Sequence, residues 1–319
     1  MFRILILAVA LGATSVAFAQ AYPAKAVRIV NPFAPGGATD IIARHVGQKL
    51  TEAWGQPVVV ENRAGASGAL GVEHVAKSAA DGYTLLIATQ TTHAANPALY
   101  AKLPYDAAKD FAPLTLAGST PLALMVHPSL AANNVQELIA FAKANPGKLA
   151  YASGGNGTSQ HLTMELLKTM TGTFMVHIPY KGAGAAMTDF LGGQVNLMFD
   201  NLPTAIPHVK SGKLRALAVS TAKRSALAPE LPTMAESGLA GFDLATWFAF
   251  YAPAATPREL VEKISADMRR ALAQPDTRER LIAIGVDIVA STPQELGAFN
   301  RAELLKWAKI VKDSGAKLD

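Results

Sequence analysis

The sequence predicts an α/β protein built from two similar lobes, each a mainly parallel sheet flanked by helices, with a cleft between them. Three observations lead to this fold class. Strand-like apolar runs alternate with amphipathic helix patterns along most of the chain, which is typical of parallel sheets covered by helices. A strand, a double-glycine loop and a helix occur in the same order twice. The chain has 319 residues, 50% of them apolar, which is enough for about two ordinary domains.

The first lobe opens with a βαβαβ run. The pattern predicts strands over residues 26–33, 58–60 and 83–88 and helices over residues 39–54 and 68–80. Ile42, Val46, Leu50 and Trp54 fall on one face of the first helix, and Gly55 is placed to end it. Because strands joined by helices in this way run parallel, the first lobe should contain a parallel sheet.

The second lobe repeats this opening. The pattern predicts strands over residues 122–126, 149–152, 175–178, 195–199 and 214–219 and helices over residues 135–144 and 158–170. Asn134 is predicted to cap the first of these helices. In the repeated unit Gly37 and Gly55 are 18 positions apart, and Gly155 and Gly172 are 17 apart. The similar spacing favours two related lobes over a short-period repeat protein.

The C-terminal part of the chain should return to the first lobe through an apolar stretch, residues 242–251. Thr256 and Thr292 are each followed by Pro, one further residue and Glu, which predicts a threonine cap at the start of a helix. We expect the chain to cross between lobes near residues 118–124 and 244–250. The first lobe is therefore assigned residues 22–120 and 247–319, and the second lobe residues 121–246.

The first 21 residues are typical of a secretory signal peptide. A basic start, Met1 to Arg3, precedes an apolar stretch, and small residues allow cleavage after Ala19 or Ala21. The apolar stretch is too short to cross a bilayer, which takes about 20 residues. An exported chain without cysteine fits a bacterial periplasm, which is the expected location.

Composition and motifs exclude several functions. The formal charge is +5 and aromatic residues make up 7%, so we expect no nucleic acid or membrane surface as a partner. No hydrolase elbow, Walker loop or zinc-protease motif occurs. His161 and Glu165 share a helix face but cannot form a metal site alone. We therefore expect no catalytic residue, cofactor or metal.

The two double-glycine loops are the candidate binding elements, because each leads into a helix. The free N–H groups and positive dipole at a helix N-terminus bind anions, and glycine allows a ligand to approach the backbone. Thr39 and Thr158 are expected to cap the two helices and to offer hydroxyl groups. Neither loop carries a phosphate-binding lysine, so carboxylate recognition is favoured. A single such loop could also be only a tight turn.

Several motifs at and around these loops resemble one family. They are Phe33-Ala34-Pro35-Gly36-Gly37-Ala38-Thr39-Asp40, Glu61-Asn62-Arg63-Ala64-Gly65-Ala66-Ser67-Gly68, Asp81-Gly82-Tyr83-Thr84-Leu85, Gly157-Thr158-Ser159-Gln160-His161-Leu162, Pro179-Tyr180-Lys181-Gly182 and Leu231-Pro232-Thr233-Met234-Ala235-Glu236-Ser237-Gly238. In this order they are similar to the motifs of Bug-type proteins, the extracytoplasmic solute receptors of tripartite tricarboxylate transporters. The resemblance covers essentially the whole chain after the signal peptide.

The resemblance implies a type II-like periplasmic binding protein fold that closes on a small organic acid or acidic amino acid. It implies delivery of that ligand to membrane permease subunits, and we expect the receptor to be a monomer. A receptor that feeds a membrane sensor kinase is an alternative that the sequence does not separate from the first. An enzyme on the same scaffold is a second alternative, which the missing motifs disfavour.

The resemblance also assigns ligand-binding positions. They are Phe33, Gly37, Ala38, Thr39 and Asp40 in the first lobe, Gly157, Thr158 and Ser159 in the second, and Thr89, Tyr180 and Asp200 as further wall positions. Asp40 could orient its loop instead of touching the ligand. Asp200 could select an ammonium or hydroxyl group or cap the following helix, and Tyr180 could be a turn residue. Trp247 could pack at the lobe crossing or stack on the ligand.

Overall fold

The computed structural model describes residues 22–314; the signal peptide prediction lies outside them. The strands are β1 (Val27–Asn31), β2 (Val58–Asn62), β3 (Thr84–Thr89), β4 (Phe111–Val126), β5 (Ala150–Ser153), β6 (Val176–Pro179), β7 (Leu197–Asn201), β8 (Arg215–Val219), β9 (Ala245–Pro253) and β10 (Asp287–Ile288). The helices are α1 (Ala38–Trp54), α2 (Ala69–Ala76), α3 (Asn96–Leu99), α4 (Val135–Ala144), α5 (Ser159–Thr171), α6 (Ala183–Leu191), α7 (Leu202–Lys210), α8 (Arg258–Ala273), α9 (Pro275–Ala283) and α10 (Pro293–Ser314). Among the described helices, none is both long and apolar enough to cross a bilayer.

The strands form a mixed sheet in the order β2-β1-β3-β9-β4-β7-β5-β6, with β8 and β10 also paired to β4. β1 runs parallel to β2 and β3, and β5 runs parallel to β6 and β7. β9 is antiparallel to both β3 and β4, and β4 is antiparallel to β7. The predicted α/β class is confirmed. Parallel pairing is restricted to the outer strands, because the long strands β4 and β9 connect the two parallel groups.

The register places the carboxyl ends of the two parallel groups opposite each other. Thr89, the last residue of β3, pairs with Phe248, which pairs in turn with Gly118 of β4. Asn201, the last residue of β7, pairs with Leu122 of β4, where β7 runs in the opposite direction. Gly118 and Leu122 are four positions apart on β4, about 13 Å of extended strand. The carboxyl edges of both strand groups therefore meet at the middle of β4, where ligands bind in open α/β sheets.

The start of β4 is the largest element that the sequence analysis missed. The prediction began at Leu122, whereas the strand begins at Phe111. Pro113, Gly118 and Pro121 lie in the missed part, and each is a residue that weakens a strand pattern. The backbone accommodates them because the register with β9 shifts between Pro113 and Thr115 and again between Leu116 and Gly118.

Helix caps agree with the sequence prediction at some sites and not at others. Asn134 caps α4, where its side chain accepts from the N–H of Glu137 at 2.9 Å. Thr292 caps α10 and exchanges two hydrogen bonds with Glu295. The prediction for Thr256 is wrong, because its hydroxyl donates to the carbonyl of Pro253 and the helix starts two residues later. The helix predicted over residues 68–80 is also shorter, ending at Ala76.

Candidate functional site

The first glycine loop follows β1 and is held by Asp40. One carboxylate oxygen of Asp40 accepts from the N–H of Gly36 at 3.0 Å and from Nε of Arg44 at 2.9 Å. The other oxygen accepts from the amide of Asn62 at 2.9 Å, and the same amide donates to the carbonyl of Phe33. The hydrogen bond from Arg44 is the main reason that the pKa of Asp40 falls to about 2. Asp40 is thus an ionised residue that fixes the loop.

The N-terminus of α1 presents backbone donors beside this loop. The helix is capped by Gly37, which provides no side chain, and Thr39 lies inside the first turn. The prediction that Thr39 caps its helix is therefore wrong. The N–H groups of Ala38 and Thr39 have no acceptor in the described part of the chain, as is usual at the start of a helix. These donors are available to an anion at the carboxyl edge of β1.

The second glycine loop follows β5 and is held in a similar way by Gln160. The side-chain oxygen of Gln160 accepts from the N–H of Gly154 at 2.6 Å. Its side-chain N–H donates to Asp200 at 2.6 Å. Gln160 and Asp200 are both buried, with 6% and 3% of their surface exposed. The loop of the second strand group is therefore fixed through a neutral amide, and that of the first through a carboxylate.

Asp200 accepts hydrogen bonds from three protein donors. Besides Gln160, its carboxylate accepts from the N–H of Asn201 at 2.8 Å and from the hydroxyl of Thr204 at 2.8 Å. Burial raises the pKa of Asp200, although these three donors act against the rise. The N-cap of α7 is Asn201, so Asp200 does not cap this helix; it accepts from the N–H of the cap residue and from a hydroxyl in the first turn. The contact to Gln160 adds a link to the second loop that the sequence did not indicate.

The N-terminus of α5 supplies the second set of donors. Thr158 caps this helix as predicted, because its side chain accepts from the N–H of His161, and its hydroxyl donates to the carbonyl of Gly155 at 2.8 Å. The N–H groups of Ser159 and Gln160 find no acceptor among residues 22–314. The hydroxyl of Thr246 on β9 donates to Oγ of Ser159 at 3.3 Å. This contact places the start of α5 directly against the crossing strand.

Gly157 uses its N–H group within the protein, as other loop glycines do. Its N–H donates to Nδ1 of His161 at 3.1 Å. Gly154, Gly155 and Gly36 also donate their N–H groups to protein atoms. The double-glycine loops therefore use most of their own donors internally. The donors left for a ligand are those of the first helical turns that follow.

Four buried polar atoms without a hydrogen-bond partner lie near this edge of the sheet. They are Nδ2 of Asn31, Oγ1 of Thr89, Oγ1 of Thr120 and Oδ1 of Asn201. Three of these residues end β1, β3 and β7, and Thr120 pairs with Thr246 where β4 crosses. Buried polar groups are rarely left unpaired in native proteins. Their concentration at facing strand ends indicates a place where a polar ligand or its water shell completes the hydrogen bonding.

The remaining predicted positions lie around this edge. Phe33 is half-buried, with its ring tip close to Gly68. Tyr180 is also half-buried, but its hydroxyl donates to Asp189 at 2.9 Å. Burial, followed by this contact, raises the pKa of Tyr180. The hydroxyl of Tyr180 is thus already paired with Asp189.

Trp247 of β9 is buried where the chain crosses between the lobes, and its ring is not exposed to a ligand. It is 1% exposed, and its indole N–H donates to Glu303 of α10 at 2.9 Å. Its backbone N–H donates to the side chain of Gln90, which follows β3, at 3.4 Å. Gln90 was not singled out from the sequence, although a polar residue directly after a buried strand is the signal that could have identified it.

Within residues 22–314, no group of three or more histidine and acidic side chains could hold a metal ion. The donors near the strand ends are backbone N–H groups, hydroxyls and side-chain amides. This set suits recognition of a carboxylate without transforming it, because such donors stabilise negative charge and offer no nucleophile or activated base.

The chain is similar to known receptors over most of its length. The profile of the tripartite tricarboxylate transporter family receptors matches residues 42–316. Protein BugT of Bordetella pertussis is 40% identical over 301 residues, which cover 94% of this chain and 92% of that protein. Among solved structures, Rpa4515 of R. palustris with adipate has a TM-score of 0.84 and 38% identity, covering 93% of this chain and 100% of that chain. MatC of Rhodopseudomonas palustris with bound malate has a TM-score of 0.81 and 32% identity, covering 91% and 100%.

Proposed function

The chain belongs to the tripartite tricarboxylate transporter receptor family, of the Bug type, and on that premise we propose that it binds a small organic acid at the carboxyl edges of β1, β3, β5 and β7. The facing strand ends carry this proposal, because unpaired N–H groups of α1 and α5 and four unpaired buried polar atoms lie at or next to them. Two relatives were solved with carboxylates, adipate and malate.

The proposed ligand lies between two lobes. The first lobe comprises residues 22–120 and 247–319 and the second residues 121–246. In support, β9 pairs with β3 of the first group, β4 pairs with β7 of the second, and β4 and β9 pair with each other near these boundaries. The donors of Ala38 and Thr39 face the ligand from the first lobe, and those of Ser159 and its helix from the second. Asp40, Gly157, Tyr180 and Asp200 act mainly by shaping the loops and walls. Phe33, Gly37, Thr89 and Thr158 complete the proposed set.

The strength of such a site is sufficient for transport. A hydrogen bond to a charged group contributes about 1.5–3 kcal/mol, and micromolar affinity needs about 8 kcal/mol after the cost of association. Two helix N-termini and a few hydroxyls supply five or more such bonds. A ligand with a second carboxylate would use donors from both lobes, which would favour a closed arrangement of the two lobes.

Binding is tested with protein that native mass spectrometry shows to be free of ligand. Adipate, malate, acidic amino acids and aromatic carboxylates are added singly, and the melting temperature and heat of binding are measured. A true ligand at 100 times its Kd adds about 2.7 kcal/mol of stability. The uncharged diamide of adipate is the control. The proposal fails if no carboxylate raises the melting temperature, or if the diamide raises it equally.

We propose a membrane permease as the protein partner, since the family takes its name from such transporters. The receptor therefore acts in the periplasm, where it carries its ligand to the permease. Crosslinking in cells followed by mass spectrometry of the purified receptor tests this step. Recovery of permease subunits supports delivery for transport. Recovery of a membrane sensor kinase in their place contradicts it and favours a signalling role.

A further inference from the structure

Two histidines lie beneath the second glycine loop, one from α5 and one from β6. The rings of His161 and His177 are stacked, with centroids 4.1 Å apart and planes within 9°. Tyr151 of β5 continues the stack on His177 at 4.7 Å. The pair does not form a metal site, because the described residues offer no third ligand beside it.

Each histidine contacts the loop through one ring nitrogen. Nδ1 of His161 accepts the N–H of Gly157 at 3.1 Å. Nε2 of His177 lies 2.7 Å from Oγ of Ser153, which in turn accepts the N–H of Gly155 at 3.2 Å. The two contacts thus secure the loop at two points, directly before α5. They explain why Gly157 does not offer its N–H group to a ligand.

The contact between His161 and Gly157 requires a neutral ring. A backbone N–H can donate to Nδ1 only if that nitrogen carries no proton, so the proton of His161 lies on Nε2. Nε2 is 3.9 Å from Glu165, too far for a hydrogen bond. If both rings were protonated, two positive charges would stack 4.1 Å apart in a largely buried place.

The surroundings favour the neutral state. Glu165, the nearest carboxylate, already accepts from Lys168 at 2.6 Å and from the hydroxyl of Tyr151. Burial lowers the pKa of His161 and outweighs the opposing charge of Glu165. Burial also lowers the pKa of His177 to about 3, with further contributions from His161 and Lys168. The loop contacts should therefore persist through the range in which an ordinary histidine becomes charged.

We propose that His161 and His177 are positioning residues, a neutral stacked pair that holds the second glycine loop so that the first turn of α5 can receive a carboxylate. This role rests on the proposed function, since the loop matters because α5 binds the ligand. The pair acts through Gly157 and Ser153 and does not touch the ligand. The pair keeps the loop ordered before binding. Less conformational entropy of the loop is then lost when the ligand binds.

The test uses the ligand-free mature protein and two substitutions of one residue. His161→Asn keeps an acceptor at the δ position without a titrating ring, whereas His161→Leu removes the acceptor. We measure the hydrogen exchange protection of the Gly157 N–H by NMR at pH 7. Protection should fall at least tenfold in the leucine variant and stay within threefold of the parent in the asparagine variant.

A second pair of variants covers the case in which His161→Leu does not fold. His177→Gln keeps a polar group near Ser153, and His177→Ala removes it. Exchange of the Gly155 N–H should rise only in the alanine variant. The proposal is overturned if Gly157 and Gly155 exchange as slowly in all variants as in the parent, or if the asparagine variant loses as much protection as the leucine variant.

Binding provides a separate readout. With adipate as the probe, His161→Leu should weaken affinity at least tenfold, and His161→Asn should bind within threefold of the parent at pH 7. Lowering the pH well below 6 should weaken binding in the parent more than in His161→Asn. If the parent binds no carboxylate at all, the proposed function fails, while the exchange measurement still decides the role of the histidines.

Discussion

Gln160 joins Asp200 to the second glycine loop: its N–H donates to the carboxylate at 2.6 Å, while its oxygen accepts the N–H of Gly154 at 2.6 Å. In the first loop, Asp40 takes the N–H of Gly36 directly. Both loops are thus fixed by a polar side chain in the first turn of the helix that follows. Asp40 is ionised, whereas Gln160 is neutral. The side chain in the first turn of α5 therefore repels an anion less than the one in the first turn of α1.

Asp200→Ala should destabilise the protein by about 1–3 kcal/mol, because three donors lose their buried acceptor. Asp200→Asn keeps one oxygen for Gln160 and Asn201 and should stay within about 1 kcal/mol of the parent. Urea unfolding at pH 7 measures both. Asp189→Ala, which removes only the contact to Tyr180, is the less buried control. Equal losses for the two Asp200 variants would contradict the proposed hydrogen-bond role.

Gly37→Ala should separate binding from folding. Gly37 has a φ of −80° and no atom within 4 Å of an added Cβ, so the methyl group fits, and the weaker preference for alanine at an N-cap should cost at most about 1 kcal/mol of stability. An added methyl group would nevertheless obstruct a ligand at the start of α1, and affinity should fall at least tenfold, about 1.4 kcal/mol. Thermal unfolding and calorimetric titration with adipate check both parts.

The control for that experiment is Gly192→Ala. Gly192 ends α6, has a φ of −79° and would make only ordinary contacts through a Cβ. Its replacement should alter neither stability nor affinity by a comparable amount. If Gly37→Ala binds adipate as tightly as the control, the ligand does not approach the backbone at Gly37.

Stability should decline as the pH falls from about 6.5 toward 3. Burial lowers the pKa of His93 to about 3, and the pKa of His177 also falls to about 3. The unfolded chain takes up protons near its ordinary value of about 6.5, so in this window it binds more protons than the folded protein and is favoured by acid. The stabilisation is fully present above about pH 6.5. Urea unfolding across this range gives the slope.

His93→Phe should reduce that slope. His93 is buried between aromatic rings, 4.4 Å from Tyr251 and 4.8 Å from Phe111, so an aromatic replacement fits the surroundings. Between pH 7 and 8 the parent and variant curves should run parallel, which serves as the control. An unchanged slope between pH 6 and 4 would show that His93 is not among the groups whose protonation unfolds the protein.

Glu303 should stabilise the packing of α10 against β9. It accepts from the indole N–H groups of Trp247 and Trp307, both at 2.9 Å, and pairs with Lys306. Glu303→Ala leaves these buried donors unpaired and should cost about 2–4 kcal/mol. Glu303→Gln, which keeps one acceptor, should cost less than half as much. Chemical unfolding compares the two variants, and similar losses would contradict the hydrogen-bond explanation.

Local patterns in the sequence were enough to predict the fold class and many of the elements. Asn134, Thr158 and Thr292 cap their helices because capping depends on residues only a few positions apart. Gly55 and Gly172 end their helices with positive φ for the same local reason. The N-cap of α1 was wrongly assigned to Thr39, because glycine can also be an N-cap residue and Gly37 takes that position.

The tertiary structure decided what the polar residues do. Asp200 meets Gln160 across 40 positions, and Trp247 meets Glu303 across 56, so spacing in the sequence carries no signal for either contact. The stacking of His161 on His177 likewise depends on the pairing of β5 with β6. The sequence by itself determined the fold class and the positions of many strands, helices and glycine loops, but not the start of β4 or the end of α2. The tertiary structure decided which N–H groups of the loops remain free for a ligand. Long-range strand register and burial determine which atoms already have a hydrogen-bond partner.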